Sequence, residues 1–533
     1  MTEKPYPKSP SVQESLKDPA GTLYTPLKRQ LKNRHVAMIS IGGVIGTGLF
    51  LGTATGLLLG YLAVGTITYS VMYSFILSLV CSIFNFPRIS LGEMVAYLPI
   101  PGGHIKLAER FVDPAFSFTM GWNYWYTWVI ILPTELSAAA VLIDYWDRSV
   151  NNAVVVVMIN MCGAGVYGEC EFIVGLIILG IVLDLGGGPD HDRLGFRFWK
   201  HPGPFNQYNG ISGAKGRFLG FWAVLTQAAF SYIGTEIVAI AAGEANNPRR
   251  NLPKAIRRVY IRILLFYIGG VIIIGLLVPF DNKGLDLASG TAASSPFVIA
   301  IQRSGIKALP SIINACLLTS AWSAASSDLY TSSRALYGLA AAGNAPSIFL
   351  KTLSNGLPVV SIVFCSLFST LAYMGVTAGS GTVFTWFTSM TAIAGLMTWF
   401  GICVTYLRFY KGMKVQGYDR KALPYASSLQ PFAAWYALSF CLFVSILSGW
   451  ATFLKGNWSV ANFITNYLPL GLFPVLYGCA KFYYSKFKGH SLSWVSAEKM
   501  DFVSDIAQIE PTPKNAMEAF WAWLVSTSSS SII

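Results

Sequence analysis

Apolar residues dominate long stretches of the chain and alternate with short polar loops. A helix that crosses the hydrocarbon core of a membrane needs about 20 mostly apolar residues. The apolar runs fall near residues 36–60, 61–84, 115–143, 153–165, 172–185, 217–242, 259–280, 309–342, 358–377, 383–407, 432–454 and 461–484. The pattern predicts an all-α polytopic membrane protein with about 12 transmembrane helices.

Basic residues between the runs predict the orientation of the chain. They are concentrated before the first run at 28–34, after the sixth at 249–258 and after the tenth at 408–421, whereas Arg148 is the one basic residue in the loop after the third run. Cytoplasmic loops carry the excess of lysine and arginine, and an even number of spans places both termini on one side. We therefore expect both termini to be cytoplasmic.

The two ends of the chain differ in composition from its middle. Residues 1–33 and 486–533 are polar, and we expect them to be mobile cytosolic tails rather than folded units. Residues 34–485 form the predicted transmembrane domain. The first 35 residues contain no apolar core, so no cleaved signal peptide is expected.

Composition supports a membrane protein and argues against other classes. Hydrophobic residues make up 53% and charged residues 12% of the chain, with a mean hydropathy of +0.52, whereas soluble domains carry about 25% charged residues. The net charge of +13 arises from loops, so it bears on topology and not on a nucleic-acid partner. The eight cysteines lack CxxC spacing and the five histidines do not cluster. We therefore expect no metal, no cofactor and no enzymatic activity.

Glycines are concentrated in the first apolar run. The stretch "ISIGGVIGTGLFLG", residues 39–52, contains five of them, although each glycine in a helix interior costs roughly 1 kcal/mol relative to alanine. One interpretation is close helix packing through small residues. The other is a broken helix whose free backbone groups meet a ligand in a cavity.

The sixth run contains a second unusual stretch, "FSYIGTE", which places Gly234 and Glu236 inside an apolar segment. A carboxylate within a membrane span is costly and marks a functional site by default. The alternative is a structural role, in which Glu236 pairs with a buried hydroxyl or a backbone amide.

Runs one and six occupy corresponding positions in two five-helix halves that are followed by two further helices. Paired discontinuous helices in such positions indicate the binding site of a transporter built from inverted repeats. The amides freed at the break of a helix bind anionic groups. The sequence therefore predicts a 5+5 inverted-repeat transporter fold with discontinuous helices 1 and 6.

Several motifs together resemble one family. They are "GGVIGTGLFLG", "FSYIGTEIV…GEANNPRRNLPKAIRRV", "ASSDLYTSSRALYGLA", "WFTSMTAIAGLMTWFGICVTYLRF" and "AEKMDFVSD". From about Leu27 to Ile509 the chain resembles the fungal amino acid permeases of the amino acid–polyamine–organocation superfamily. The resemblance implies proton-coupled import of amino acids across the plasma membrane, with an amino acid, protons and the lipid bilayer as partners.

The resemblance also implies roles for particular residues. The backbone of the glycine motif would bind the substrate α-carboxylate, the "FSYIG" segment would bind the α-amino group with Phe230 as an aromatic gate, and Glu236 would take part in proton-dependent gating. Glu135 has either a coupling role or a packing role. The expected substrate-binding residues are Gly42, Gly43, Ile45, Gly46, Thr47, Gly48, Phe230, Ser231, Tyr232, Gly234 and Thr391.

The chain departs from the family pattern in two regions. Residues 75–90 interrupt what the family writes as one continuous helix end, next to the merged first and second runs. Runs four and five are short, and no lysine occurs between Lys106 and Lys200, where the family has a lysine that takes part in coupling. An inactive, misassembled permease is therefore one alternative.

A sensor that uses the permease fold without transporting is the other alternative, and long cytosolic tails would favour it. Among substrates, broad specificity is expected, because the predicted pocket shows no fixed charge apart from Glu236.

Overall fold

The computed structural model describes residues 90–98, 100, 102–146, 178–186, 191–202, 207, 211–234, 236, 269–282, 285, 295–306, 309–353, 356–423 and 425–504. Within these ranges the chain forms helices, turns and irregular segments, without a β-strand. Runs one, two and four of the apolar pattern, and residues 75–89, lie outside them.

The described helices cover apolar runs and some of the segments between them. They are α1 (Gly103–Phe111), α2 (Pro114–Ile143), α3 (Arg197–Lys200), α4 (Gly213–Tyr232), α5 (Gly269–Leu277), α6 (Pro296–Arg303), α7 (Leu309–Ala341), α8 (Val359–Leu367), α9 (Gly375–Ala378), α10 (Ser380–Val415), α11 (Phe432–Leu447) and α12 (Val460–Lys488). Short 3-10 segments cover Ser347–Leu350, Phe368–Met374, Arg420–Ala422, Trp450–Phe453 and Ala497–Lys499, and residues 90–97 are helical.

Five of the described helical segments are long and apolar enough to cross a membrane. They are Pro114–Ile143, Val359–Ala378, Ser380–Val415, Phe432–Phe453 and Val460–Lys488. The second combines α8, a 3-10 turn and α9, and the fourth combines α11 with the 3-10 turn that follows it.

The central helix is α2, whose 30 residues extend about 45 Å and are almost all buried. Its start is fixed by Asp113, whose carboxylate accepts a hydrogen bond from the Phe116 amide at 2.7 Å, and by Pro114 in the first turn. One side of α2 packs on α7 and another on α10. Of these helices, α2 and α10 flank the candidate site.

The structure corrects the predicted C-terminal tail. Helix α12 continues to Lys488, and residues 489–504 lie against the end of α10 instead of being mobile: the Gln416 amide donates to the Ala497 and Met500 carbonyls at 2.9 and 2.8 Å. Phe502 is 1% exposed. Met500 is also buried, whereas Leu492, Trp494 and Val503 are exposed, so a mostly polar segment is held by two apolar side chains. Residues 505–533 lie outside the described residues.

Candidate functional site

The predicted break in the sixth apolar run is present in the structure. Helix α4 ends at Tyr232, Ile233 is extended (φ −62°, ψ 150°), and Gly234 has φ +90°. A positive φ of this kind is accessible to glycine at no steric cost, so Gly234 allows the chain to leave the helix inside an apolar run. At this end of α4 the Ile233 amide donates to the Phe230 carbonyl at 3.2 Å, and the helix does not continue through Ile233 and Gly234.

The broken segment lies on α10. The rings of Phe230 and Phe384 meet edge to face at 6.3 Å. Further along, a Cβ atom on Gly395 would lie 2.7 Å from Cδ1 of Ile233, so the absence of a side chain at position 395 lets the segment approach the helix. The break is thus held in a fixed position against α10.

Glu236 is the carboxylate at the break and is 3% exposed. Its Oε1 accepts a hydrogen bond from the Gly234 amide at 3.3 Å, and its Oε2 accepts one from Trp399 Nε1 at 3.4 Å. It also interacts electrostatically with Tyr124 of α2. Glu236 therefore connects the broken segment to α10 and lies near α2.

An amide in α2 holds the opposite side of the site. Nδ2 of Asn123 donates to the Ala394 carbonyl and to Thr398 Oγ1 of α10, each at 2.9 Å. These bonds fix α2 to α10 beside Gly395. Asn123, Tyr124 and Trp399 were not identified as site residues from the sequence. The available signal was an amide side chain within an apolar span.

The remaining predicted site residues occupy different places. Thr391 of α10 is fully buried, and its Oγ1 has no hydrogen-bond partner among the described residues. Ser231 and Tyr232 are half-buried in the last turn of α4. Glu135, 3% exposed, lies further along α2. The residues of the glycine motif lie outside the described ranges: Gly42, Gly43, Ile45, Gly46, Thr47 and Gly48.

The sequence that forms this site matches one known protein family. The model of the family described as "Amino acid permease" matches residues 35–492. The chain belongs to the amino acid permease family. This confirms the resemblance given by the motifs, and it makes the protein a transporter and not an enzyme.

Individual relatives agree with the family. The chain is 40% identical to the dicarboxylic amino acid permease of Saccharomyces cerevisiae over 86% of this chain and 78% of that protein. It is 36% identical to the proline-specific permease of Emericella nidulans over 97% of this chain and 98% of that protein.

A solved structure agrees in fold. A mutant of the Eremococcus coleocola manganese transporter superposes with a TM-score of 0.50 at 11% identity, over 89% of this permease and 98% of that chain. The predicted fold class is confirmed: the permease is an all-α protein with a 5+5 transporter fold. The number of twelve spans stays a prediction, because five spans are found in the described residues.

Proposed function

We propose that this permease imports amino acids across the plasma membrane by proton symport and with broad specificity, with both termini in the cytoplasm. The observation that carries the proposal is the break at Ile233–Gly234 inside an apolar run, with the buried carboxylate of Glu236 bonded to it. A broken helix is tolerated at membrane depth where its free backbone groups meet a ligand.

The end of α4 supplies the chemistry for the ammonium group of an amino acid. The last carbonyl groups of a helix carry a partial negative charge, and in α4 they belong to residues 229–232. Phe230, packed on Phe384, would close over the bound substrate. The glycine motif at 42–48 would hold the α-carboxylate through its backbone amides.

Glu236 is placed to connect proton binding with movement of the broken segment. As a carboxylate it accepts hydrogen bonds from the Gly234 amide and from Trp399. A proton on one of its oxygens would replace an acceptor by a donor, and the bond at that oxygen would be lost. Protonation would then break the hydrogen bond to the Gly234 amide, within the segment, or the hydrogen bond to Trp399 of α10. Glu135 serves as a second proton-binding group.

Broad specificity is supported by the pocket side of α10. Thr388 and Thr391 are buried there with hydroxyl oxygens that have no partner among the described residues. Neutral hydroxyls both donate and accept hydrogen bonds, so they suit polar and apolar side chains alike. The two relatives are named for different substrates. The specificity of this permease is therefore proposed from the side chains of α10 and not from those names.

The test is uptake of a panel of radiolabelled L-amino acids by permease-deficient yeast cells that express the full chain, at acidic and at neutral external pH. The amount of permease at the cell surface is measured in parallel. We expect several amino acids to be taken up, faster at acidic pH. Glu236→Gln is expected to reach the surface and to lose the acid stimulation. A chain that reaches the surface and transports none of them contradicts the proposal and favours a sensor.

A matched control separates proton coupling from damage to the fold. Gln207 is an exposed residue outside the described helices, and Gln207→Glu is expected to leave both uptake and its pH dependence unchanged. Epitope tags at the two ends should be accessible to antibody only after the cells are permeabilised. Accessibility on intact cells would contradict cytoplasmic termini.

A further inference from the structure

Asp328 is a buried carboxylate that the mechanism above does not use. It lies in the middle of α7 and is 1% exposed, and neither of its oxygens has a hydrogen-bond partner among the described residues. The nearby hydroxyls of Ser327 and Thr331 donate to carbonyls of their own helix, at 3.0 and 2.8 Å. A buried carboxylate without a partner is costly as an anion, so this position favours a bound proton.

The surface of α7 that carries Asp328 faces the surface of α2 that carries Glu135. Leu132 and Leu136 of α2 form an apolar cluster with Ala325 of α7, and Leu329 packs against it. Residues three and four apart share one face of a helix. Glu135 lies on the face of Leu132, and Asp328 lies on the face of Ala325. The two carboxylates therefore lie at the same helix–helix contact, 193 positions apart in the sequence.

Few other titratable groups surround this contact. Asp328 interacts electrostatically with Glu135. Tyr373, from the 3-10 turn after α8, packs against the same apolar cluster, and Cys365 of α8 is buried beside Trp125. On α7 itself, Arg334 lies over the ring of Tyr330 at 3.3 Å. Within the part of the chain that the structure describes, no basic side chain forms an ion pair with Asp328.

We propose that Asp328 and Glu135 form a carboxylate pair that shares one proton and serves as a proton-binding site of the transport cycle. Two adjacent carboxylates in a low-dielectric site repel each other when both are ionised, so the pair retains one proton and a single negative charge. The inference rests on the proposed proton symport, and it adds Asp328 as a residue that binds the proton. The site lies between α2 and α7, whereas Glu236 lies at the break of α4.

The first experiment measures initial uptake of a labelled amino acid that the wild type transports, as a function of external pH. In Asp328→Asn the negative charge of Asp328 no longer disfavours ionisation of Glu135, so Glu135 binds its proton more weakly. We expect the midpoint of the pH profile to move about one unit or more towards acid, with a similar shift in Glu135→Gln. The double variant has no carboxylate at this site, so its uptake should lose the pH midpoint that the pair supplies.

Control variants separate proton binding from packing. Asp328→Glu keeps a carboxylate and is expected to retain the wild-type midpoint. Thr331→Val, one turn away on α7, removes a hydroxyl that bonds its own backbone and should leave the midpoint unchanged. A slower Asp328→Asn permease with the wild-type midpoint would overturn the proposal, as would uptake that needs sodium and has no pH midpoint. If Asp328→Asn does not reach the surface, the test is made with Glu135→Gln. An unchanged midpoint of its pH profile overturns the proposal.

A second measurement does not depend on transport. Infrared spectra of the purified full-length permease at neutral pH should show the carbonyl stretch of a protonated carboxylic acid. Both Asp328→Asn and Glu135→Gln should lose part of this band, because the neighbouring negative charge that favours protonation of the remaining carboxylate is gone. If the wild type transports nothing but the band behaves in this way, the proposed symport fails and the pair stands. An unchanged band in both variants refutes the pair.

Discussion

Nη2 of Arg420 lies 2.9 Å from Oε1 of Glu93, although 327 positions separate the two residues. Glu93 is fully buried, and it also accepts hydrogen bonds from the Tyr406 hydroxyl at 2.5 Å and from the Ser427 amide at 2.6 Å. The hydrogen bond with Glu93 raises the pKa of Arg420. The contact fixes the loop between α10 and α11 to the helical segment at 90–97.

The first prediction concerns the loss of this ion pair. Arg420→Ala would leave the Glu93 charge buried with only neutral donors. Removing one partner of a buried pair costs about 3–5 kcal/mol, so we expect a clearly lower thermal unfolding temperature of the purified permease. Lys421→Ala, at the exposed neighbouring position, is the matched control and should leave that temperature unchanged. Equal unfolding temperatures for the two variants would show that the pair does not stabilise the fold.

The second prediction concerns the close contact of Gly395 with Ile233. Gly395→Ala would place a methyl group 2.7 Å from Ile233 Cδ1 and push the broken segment away from α10. Overpacking of this kind costs about 1–3 kcal/mol, and we expect slower uptake at normal surface expression. Shortening the facing side chain in Gly395→Ala/Ile233→Ala should restore part of the uptake.

Gly338→Ala is the control for this contact, since a Cβ atom there meets nothing within 4 Å. It should be neutral. Wild-type uptake by Gly395→Ala alone would mean that the position of the segment against α10 does not limit transport.

The third prediction uses the pH dependence of stability. His104 of α1 is fully buried against the ring of Tyr124, at 5.0 Å, and burial lowers its pKa from 6.5 to about 4. Between these values the unfolded chain binds a proton that the folded chain does not. The free energy of unfolding therefore falls as the pH falls through this window, by about 1.4 kcal/mol per unit from this residue.

His104→Phe removes the titrating group and keeps an aromatic ring against Tyr124. We expect its unfolding temperature to fall less than that of the wild type between pH 6.5 and 4. His201→Gln, at an exposed position, should follow the wild-type curve. Parallel curves for wild type and His104→Phe would show that His104 is not the acid-sensitive group.

The fourth prediction concerns the docked C-terminal segment. The ring of Phe502 packs against Phe111 and Phe409 with centroids 5.2 and 5.5 Å away. Truncating a buried phenylalanine costs about 3–5 kcal/mol, so Phe502→Ala should release the segment and increase its cleavage by protease added to the purified permease. Val503→Ala, whose side chain is exposed, should leave cleavage at the wild-type rate. Equal cleavage of both would show that residues 489–504 are not held by this contact.

The sequence predicted the helical class and the interrupted sixth run because both depend on local properties. Long apolar runs form helices in lipid since every backbone group must be satisfied within the segment. Gly234 and Glu236 could be identified from the sequence because a glycine and a carboxylate are both unusual in such a run. The motifs were sufficient to identify the family.

The tertiary structure decided which side chains meet, and such pairs leave no local pattern. Asp328 and Glu135 each look like a single costly carboxylate, and only the packing of α7 on α2 brings their faces together. Asn123 was not singled out from the sequence, and its role is visible only in its bonds to α10. Phe502 was expected to belong to a mobile tail, but it packs against Phe409 and Phe111, about 100 and about 390 positions earlier. A hydropathy pattern records how a residue partitions between water and lipid, whereas electrostatic coupling and docking depend on distances that arise only once the helices have packed.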